Sequence, residues 1–313
     1  MRVHFVSLIV FAMTLTGVAY SHAEIDPHAG SPDRTARLDD LQAALTLAVV
    51  PAGGRVGVAV ELLGSDEAVF LLEDERFPMQ SVFKLPLAMA VLDAVDRGVL
   101  RLDQEVRVDS DDFVSERQHS PIRDKNPMGV ELSLEELLWA AASRSDGTAA
   151  DVLLDLIGGP GNLTAYVRGL GVVGLTVAVT EKQMGRDPEA QFQNWATPVG
   201  AVGVLRALHG GHGLSRPSRD FLLRLLTETP TGPRRIKGRL PEGTPVAHKT
   251  GSSRTINLIT AATNDIGIVT LPDGNQVAVV VFVSNSPADQ ETRERVIADV
   301  ARIAYDFWSN TKP

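Results

Sequence analysis

The sequence predicts an α/β fold of the α+β kind: an antiparallel sheet built from both chain ends and flanked by helices, with an all-helical domain inserted between. Three observations carry this reading. Runs rich in β-branched residues lie at 56–63 and 68–72, and Gly64-Ser65-Asp66-Glu67 between them makes the pair a hairpin. Three more strand-like runs lie at 245–252, 259–271 and 276–283, the last two joined by the strong turn Pro272-Asp273-Gly274-Asn275. Residues 131–227 between them carry apolar positions mostly at helical spacing.

Taken in order, Met1-Arg2-Val3-His4, an apolar run over 5–19 and the small residues Ser21-His22-Ala23 predict a cleavable export signal. The cut falls after Ala23, so the mature protein starts near Glu24. The apolar run is interrupted by Thr14, Thr16 and Gly17 and is short for a membrane span, which takes about 20 residues. Leu38, Leu41, Ala44, Leu45 and Ala48 predict a helix over 37–49, and the hairpin follows. A long apolar helix spans about 81–96. Ser133-Leu134-Glu135-Glu136 opens another helix with a capping serine and early acids, and 148–156 continues into the next. Prolines near their starts mark helices at 198–208 and 217–226, and an amphipathic helix over 289–307 ends the chain. The organisation is a leader at 1–23, an α/β domain from 24–80 and 228–313, and the helical domain at 81–227.

Composition narrows the function. At 313 residues with 44% hydrophobic content the chain builds a full core. The absence of cysteine excludes disulfides, thiol nucleophiles, cysteine metal ligands and a lipid-modified cysteine after the leader. A formal net charge of -9, one unit more negative once Arg2 leaves, repels nucleic acid and anionic membranes. A soluble, exported, monomeric protein follows as the expectation.

The chemistry centres on Phe77-Pro78-Met79-Gln80-Ser81-Val82-Phe83-Lys84. Residues three apart share a helix face, so Lys84 stands one turn above Ser81, with an amine in reach of a hydroxyl. A serine attacking a carbonyl needs a base, and a lysine serves only if burial or nearby cations lower its pKa. The helix N-terminus adds partial positive charge where an acyl oxyanion forms. Pro86 lacks the N–H that would bond back to Val82, so the first turn is expected to be irregular. Taken alone, Ser-x-x-Lys also fits an N-cap serine followed by a surface lysine.

Three further segments remove that ambiguity: Ser143-Arg144-Ser145-Asp146-Gly147, Thr180-Glu181-Lys182-Gln183-Met184 and His248-Lys249-Thr250-Gly251-Ser252. Ser-x-x-Lys, Ser-Asp-x, a loop acid and Lys-Thr-Gly, in this order, resemble the class A serine β-lactamases. Gln193-Asn194-Trp195 and Thr260-Ala261-Ala262-Thr263-Asn264-Asp265 are similar to the extended-spectrum cephalosporinase (PER/VEB-like) branch. The resemblance implies that Ser81 attacks the lactam carbonyl, with the oxyanion held by the N–H groups of Ser81 and Ser252. It implies that Lys84 orients Ser81 and shares its proton, leaving open whether Lys84 or Glu181 is the acylation base. It further implies that Ser145 passes a proton to the departing nitrogen in the field of Lys249, that Lys249, Thr250 and Ser252 hold the substrate carboxylate, and that Gly251 belongs to the substrate-binding set. Glu181 activates the water that frees the acyl-enzyme. The substrates implied are small β-lactams, with no cofactor and no metal.

Departures accompany the matches. Gly147 stands where the family usually has an asparagine that contacts the substrate, Gly185 stands where an asparagine helps hold the hydrolytic water, and Asp151 replaces a third. A rearranged loop around Glu181 is expected. Arg235, rather than its neighbour Arg234, is expected to reinforce the carboxylate site, and His119 to stand at the cleft entrance. His209 and His212 flank Gly210-Gly211 without a third ligand and read as a plain loop. Two rival functions remain: a penicillin-binding D,D-peptidase, and a β-lactam sensor that is acylated without turnover. Glu181 speaks against the first, and the lack of helices spanning a membrane beyond the leader against the second.

Overall fold

The computed structural model describes residues 32–310, so the leader read over 1–23 lies outside the described residues. Five strands form one antiparallel sheet: β1 (Arg55–Leu62), β2 (Ala68–Leu71), β3 (Val246–Ser252), β4 (Thr263–Thr270) and β5 (Gln276–Ser284), in the order β2-β1-β5-β4-β3. The two chain ends meet where β1 pairs with β5, with Val58 opposite Val281. β1 shows little apolar/polar alternation because both of its faces are covered.

One face of the sheet, through Val56, Val58, Val60, Val279 and Val281, packs on the helices Pro32–Ala48 and Gln290–Ser309 by way of Leu41, Leu45, Val296, Ile297 and Val300. The other face, through Ala59, Ile266, Val280 and Phe282, shares a second core with the inserted helices. At the centre of that core lies the helix Lys84–Asp96, apolar almost all round and buried from Lys84 to Leu92. Around it, Leu134–Ala142 starts with a capping box between Ser133 and Glu136, and Gly147–Leu156 is capped by Asp146.

Four details differ from expectation. The insertion is not all-helical: Glu105–Val108 pairs with Val130–Ser133, and Trp195–Ala196 pairs with both Leu175–Thr176 and Phe77–Pro78. The alternation Glu105-Val106-Arg107-Val108 is a period-two signal, whereas the two-residue strands carry no pattern and form only through tertiary contact. The run 259–271 breaks into Ile259–Thr260 and Thr263–Thr270, the former folding onto Thr255–Ile256 through Asn257 and Leu258 at φ 49° and 66°. The α-helix read from Ser81 starts at Lys84, after a 3-10 turn over Gln80–Phe83, the irregular first turn foreseen from Pro86. Finally, His209 lies in the last turn of the helix Pro198–Gly210, where Nδ1 meets Gln276 Oε1 at 2.9 Å, rather than in a loop. Among the described residues no helix is long and apolar enough to cross a membrane.

Candidate active site

The 3-10 turn presents Ser81 at the sheet edge, directly after Gln80, whose φ of 49° is a left-handed backbone that non-glycine residues rarely adopt. Asn264 on β4 holds this turn, its Nδ2 donating to Pro78 O at 2.8 Å and Met79 O at 3.2 Å. β3 comes so close that a Cβ on Gly251 would collide with Met79 O. Glycine is required there because two backbones touch.

The Lys84 side chain joins three parts of the cleft. Its Nζ donates to Ser81 Oγ at 3.1 Å and Ser145 O at 2.9 Å, and pairs with Glu181 Oε1 at 2.7 Å. All three ammonium donors are used, and both ends of the pair are buried, with side-chain exposures of 1% and 6%. A proton can pass between lysine and carboxylate without an intermediary.

Ser145, at φ 60°, accepts from Lys249 Nζ at 3.0 Å through its Oγ. Asp146 makes this bend stable: fully buried, it accepts from Ser120 Oγ, Ile122 N and Ala149 N at 2.8–3.0 Å. Burial first, then the positive charge of Lys84, pushes the Lys249 amine well below the usual lysine range, while Asp265 and Glu181 oppose this. Asp265 in turn meets His248 Nδ1 at 2.9 Å beneath the strand.

β3 is one edge strand of the sheet. Ser253 N donates to Ala262 O, so in the alternating antiparallel pattern the neighbouring Ser252 N–H points away from β4. Beside it, Arg235 Nη2 donates to Ser252 Oγ at 2.7 Å and Nη1 to Asn264 O at 2.8 Å, and Glu294 holds Arg235 Nε at 3.4 Å. Thr250 Oγ1 donates to Thr231 Oγ1 at 2.9 Å. Arg234 instead points outward to Glu294, so of the two arginines it is Arg235 that is buried beside Ser252. These groups line a cleft of about 450 Å3 with Ser81, His119 and Ser145. A second lobe of about 490 Å3 runs from Ser81 past Glu181 and Gly185 to Thr255 and Ile256.

His119 is exposed at the boundary of the two lobes, its Nε2 3.2 Å from Arg144 O. Gly147 caps the neighbouring wall, its N–H donating to His119 O at 2.8 Å. Glu181 opens a short helix, Glu181–Arg186, whose entry is held by Asp151: the carboxylate accepts from Glu181 N at 2.7 Å and Lys182 N at 2.9 Å. Burial and the nearby Glu181 charge push Asp151 up to about 6. Buried Asn194 ties the preceding backbone to the rest of the fold, accepting from Ala178 N and Val179 N and donating to Val179 O.

Ser81, Lys84, Ser145 and Glu181 thus line the cleft with Thr250, Ser252, Arg235 and His119, Lys249 lies fully buried behind Ser145, and Gly251 and Gly147 pack close by. Sequence reasoning missed Gln118, which touches the Glu181 carboxylate, and the buried pair His248 and Asp265; no local pattern marks either. Among the described residues no cluster of three or more potential metal ligands occurs.

Residues 39–308 match the family described as the beta-lactamase enzyme family. The chain is 40% identical to the extended-spectrum beta-lactamase PER-1 of Pseudomonas aeruginosa, over 96% of this chain and 95% of that one. It is 36% identical to beta-lactamase VEB-1 of the same organism, over 88% and 92%. The crystal structure of a beta-lactamase from Chitinophaga pinensis superposes with a TM-score of 0.83 at 43% identity, covering 85% of this chain and 98% of that one. TLA-1 extended-spectrum beta-lactamase superposes at 0.84 with 38% identity, covering 87% and 99%. Family, fold and cleft converge: the chain belongs to the β-lactamase enzyme family as a class A serine β-lactamase, hydrolysing β-lactams and conferring resistance to them.

Proposed function

We propose that Ser81 is the nucleophile and that Lys84 and Glu181 act as one proton-accepting pair. The observation that carries this is the convergence of Lys84 Nζ on Ser81 Oγ, Ser145 O and Glu181 Oε1. Ser81 Oγ attacks the lactam carbonyl carbon as its proton passes to the pair, and the oxyanion is held by the N–H groups of Ser81 and Ser252. The C–N bond then breaks, and the nitrogen takes a proton from Ser145 Oγ, which Lys249 faces at 3.0 Å; the proton that the pair took from Ser81 passes on to Ser145, so that Glu181 is again free to accept one. Lys249, Thr250, Ser252 and Arg235 hold the substrate carboxylate, with Gly251 admitting the close strand and His119 and Gly147 bounding the acyl side chain. Glu181 next removes a proton from water, the hydroxide attacks the ester carbon, and Ser81 leaves with a proton returned through Lys84.

Substrate preference extends to bulky cephalosporins, a reading supported by the extended-spectrum names of the relatives and by the lobe reaching Ile256. The protein acts as a monomer on small molecules, without nucleic acid, membrane, metal or cofactor, after export to the periplasm and cleavage behind Ala23. Mass spectrometry of the secreted form should place its first residue at Glu24. Purified protein should hydrolyse a chromogenic cephalosporin with many turnovers per serine. A single stoichiometric burst would instead favour a sensor or a D,D-peptidase.

A further inference from the structure

The geometry points to Gln118 as the positioning residue of the deacylation step, admitted to that place by Gly185. The inference rests on the reading of Glu181 as the base that activates water. The two carboxylate oxygens of Glu181 are held from opposite sides: Oε1 by Lys84 Nζ at 2.7 Å and Oε2 by Gln118 Nε2 at 2.8 Å. The same amide nitrogen lies 3.4 Å from Glu181 O, so Gln118 spans the head and the backbone of the residue it holds. A carboxylate pinned at one oxygen still swings about that bond. Pinned at both, its plane is set, and the remaining lone pairs keep a fixed direction toward the cleft.

The segment carrying Gln118 is built to hold it there. Arg123 Nη1 donates to three carbonyls of that segment, Val114 O at 3.1 Å, Ser115 O at 2.5 Å and Gln118 O at 3.1 Å. Gln118 N closes a turn onto Ser115 O at 2.9 Å. On the other side, the Lys182 amine reaches Asp111 O, tying the Glu181 helix to the start of the same segment.

Gly185 makes the approach possible. A Cβ there would stand 2.8 Å from Ser115 Oγ and 3.1 Å from Gln118 Cγ, so any larger residue pushes the 115–118 segment off Glu181. Its backbone is not left-handed, so alanine is conformationally allowed and the only demand for glycine is this contact. The two residues therefore act as a unit: Gly185 leaves the space and Gln118 fills it, facing the lobe that also contains Ser81 and Lys84.

The test is a double-mutant cycle of Gln118→Ala, Gly185→Ala and the double variant, each followed by stopped-flow acylation, steady-state kcat and the mass of the enzyme during turnover of a cephalosporin. Loss of the positioning bond should lower kcat by about 10- to 100-fold in either single variant, with acylation within about threefold of the parent. The covalent adduct should become visible during turnover. The double variant should be no worse than Gln118→Ala by more than about twofold, since both changes break one contact. Parent-like deacylation in Gln118→Ala overturns the inference, as do losses that multiply in the double variant or acylation falling as far as kcat. If Glu181→Ala stalls as an adduct while Gln118→Ala turns over normally, only the role of Gln118 fails. If both turn over normally, the assignment of Glu181 as base fails with it.

Discussion

Replacing Asp151 with asparagine should change how stability depends on pH more than stability itself. Asp151 holds the N–H groups of Glu181 and Lys182 from inside the protein, and burial raises its pKa from 3.8 to about 6 despite those two bonds and the opposing charge of Lys84. A raised carboxyl pKa means that the folded protein binds more protons than the unfolded chain between those values. Unfolding free energy therefore falls as pH rises through that window and is flat above it. Roughly two pH units at about 1.4 kcal/mol each make a change of about 3 kcal/mol. Asparagine does not titrate, so the stability of the parent relative to Asp151→Asn should decline by about 3 kcal/mol from pH 4 to pH 7, or about 5 °C in relative Tm. Equilibrium urea unfolding of both proteins at half-unit pH steps measures this directly. Curves that stay parallel across the window would refute the reasoning, as would a parent that gains relative stability with rising pH.

Two further outcomes follow from the cleft. Gly251→Ala forces β3 away from Met79 O and so separates Ser252 N–H from Ser81; acylation of a chromogenic cephalosporin should fall by about 100-fold or more, and the overpacking should destabilise the protein by about 1–3 kcal/mol in urea titrations. Arg235→Ala leaves buried Glu294 with its more exposed partner Arg234 and deprives Ser252 Oγ of a donor. It should raise KM by about tenfold with a smaller effect on kcat, and destabilise the protein by about 3 kcal/mol in urea titrations.

Much of this was legible in the chain because the information is local. Ser81 and Lys84 are one turn apart, the capping residue Ser133 announces its helix, and Asp273-Gly274 marks the turn between β4 and β5. What escaped is long-range or small. Gln118 meets Glu181 across 63 residues and His248 meets Asp265 across 17, and no periodicity connects either pair. The strand Trp195–Ala196 is two residues long, paired only because Phe77–Pro78 and Leu175–Thr176 are brought alongside it. Gly185 lies against Ser115 Oγ and Gln118 Cγ of another segment, a contact that no single-residue argument reveals.

The account stands on Ser81, Lys84 and Glu181 acting through one set of hydrogen bonds, and intact-protein mass spectrometry of Glu181→Ala and Ser81→Ala mixed with a cephalosporin tests that most directly. The Glu181 variant should gain the mass of one opened antibiotic and hold it, mapped by peptide digestion to Ser81, while the Ser81 variant gains none. Normal turnover by Glu181→Ala without an adduct, or an adduct on Ser81→Ala, would contradict it.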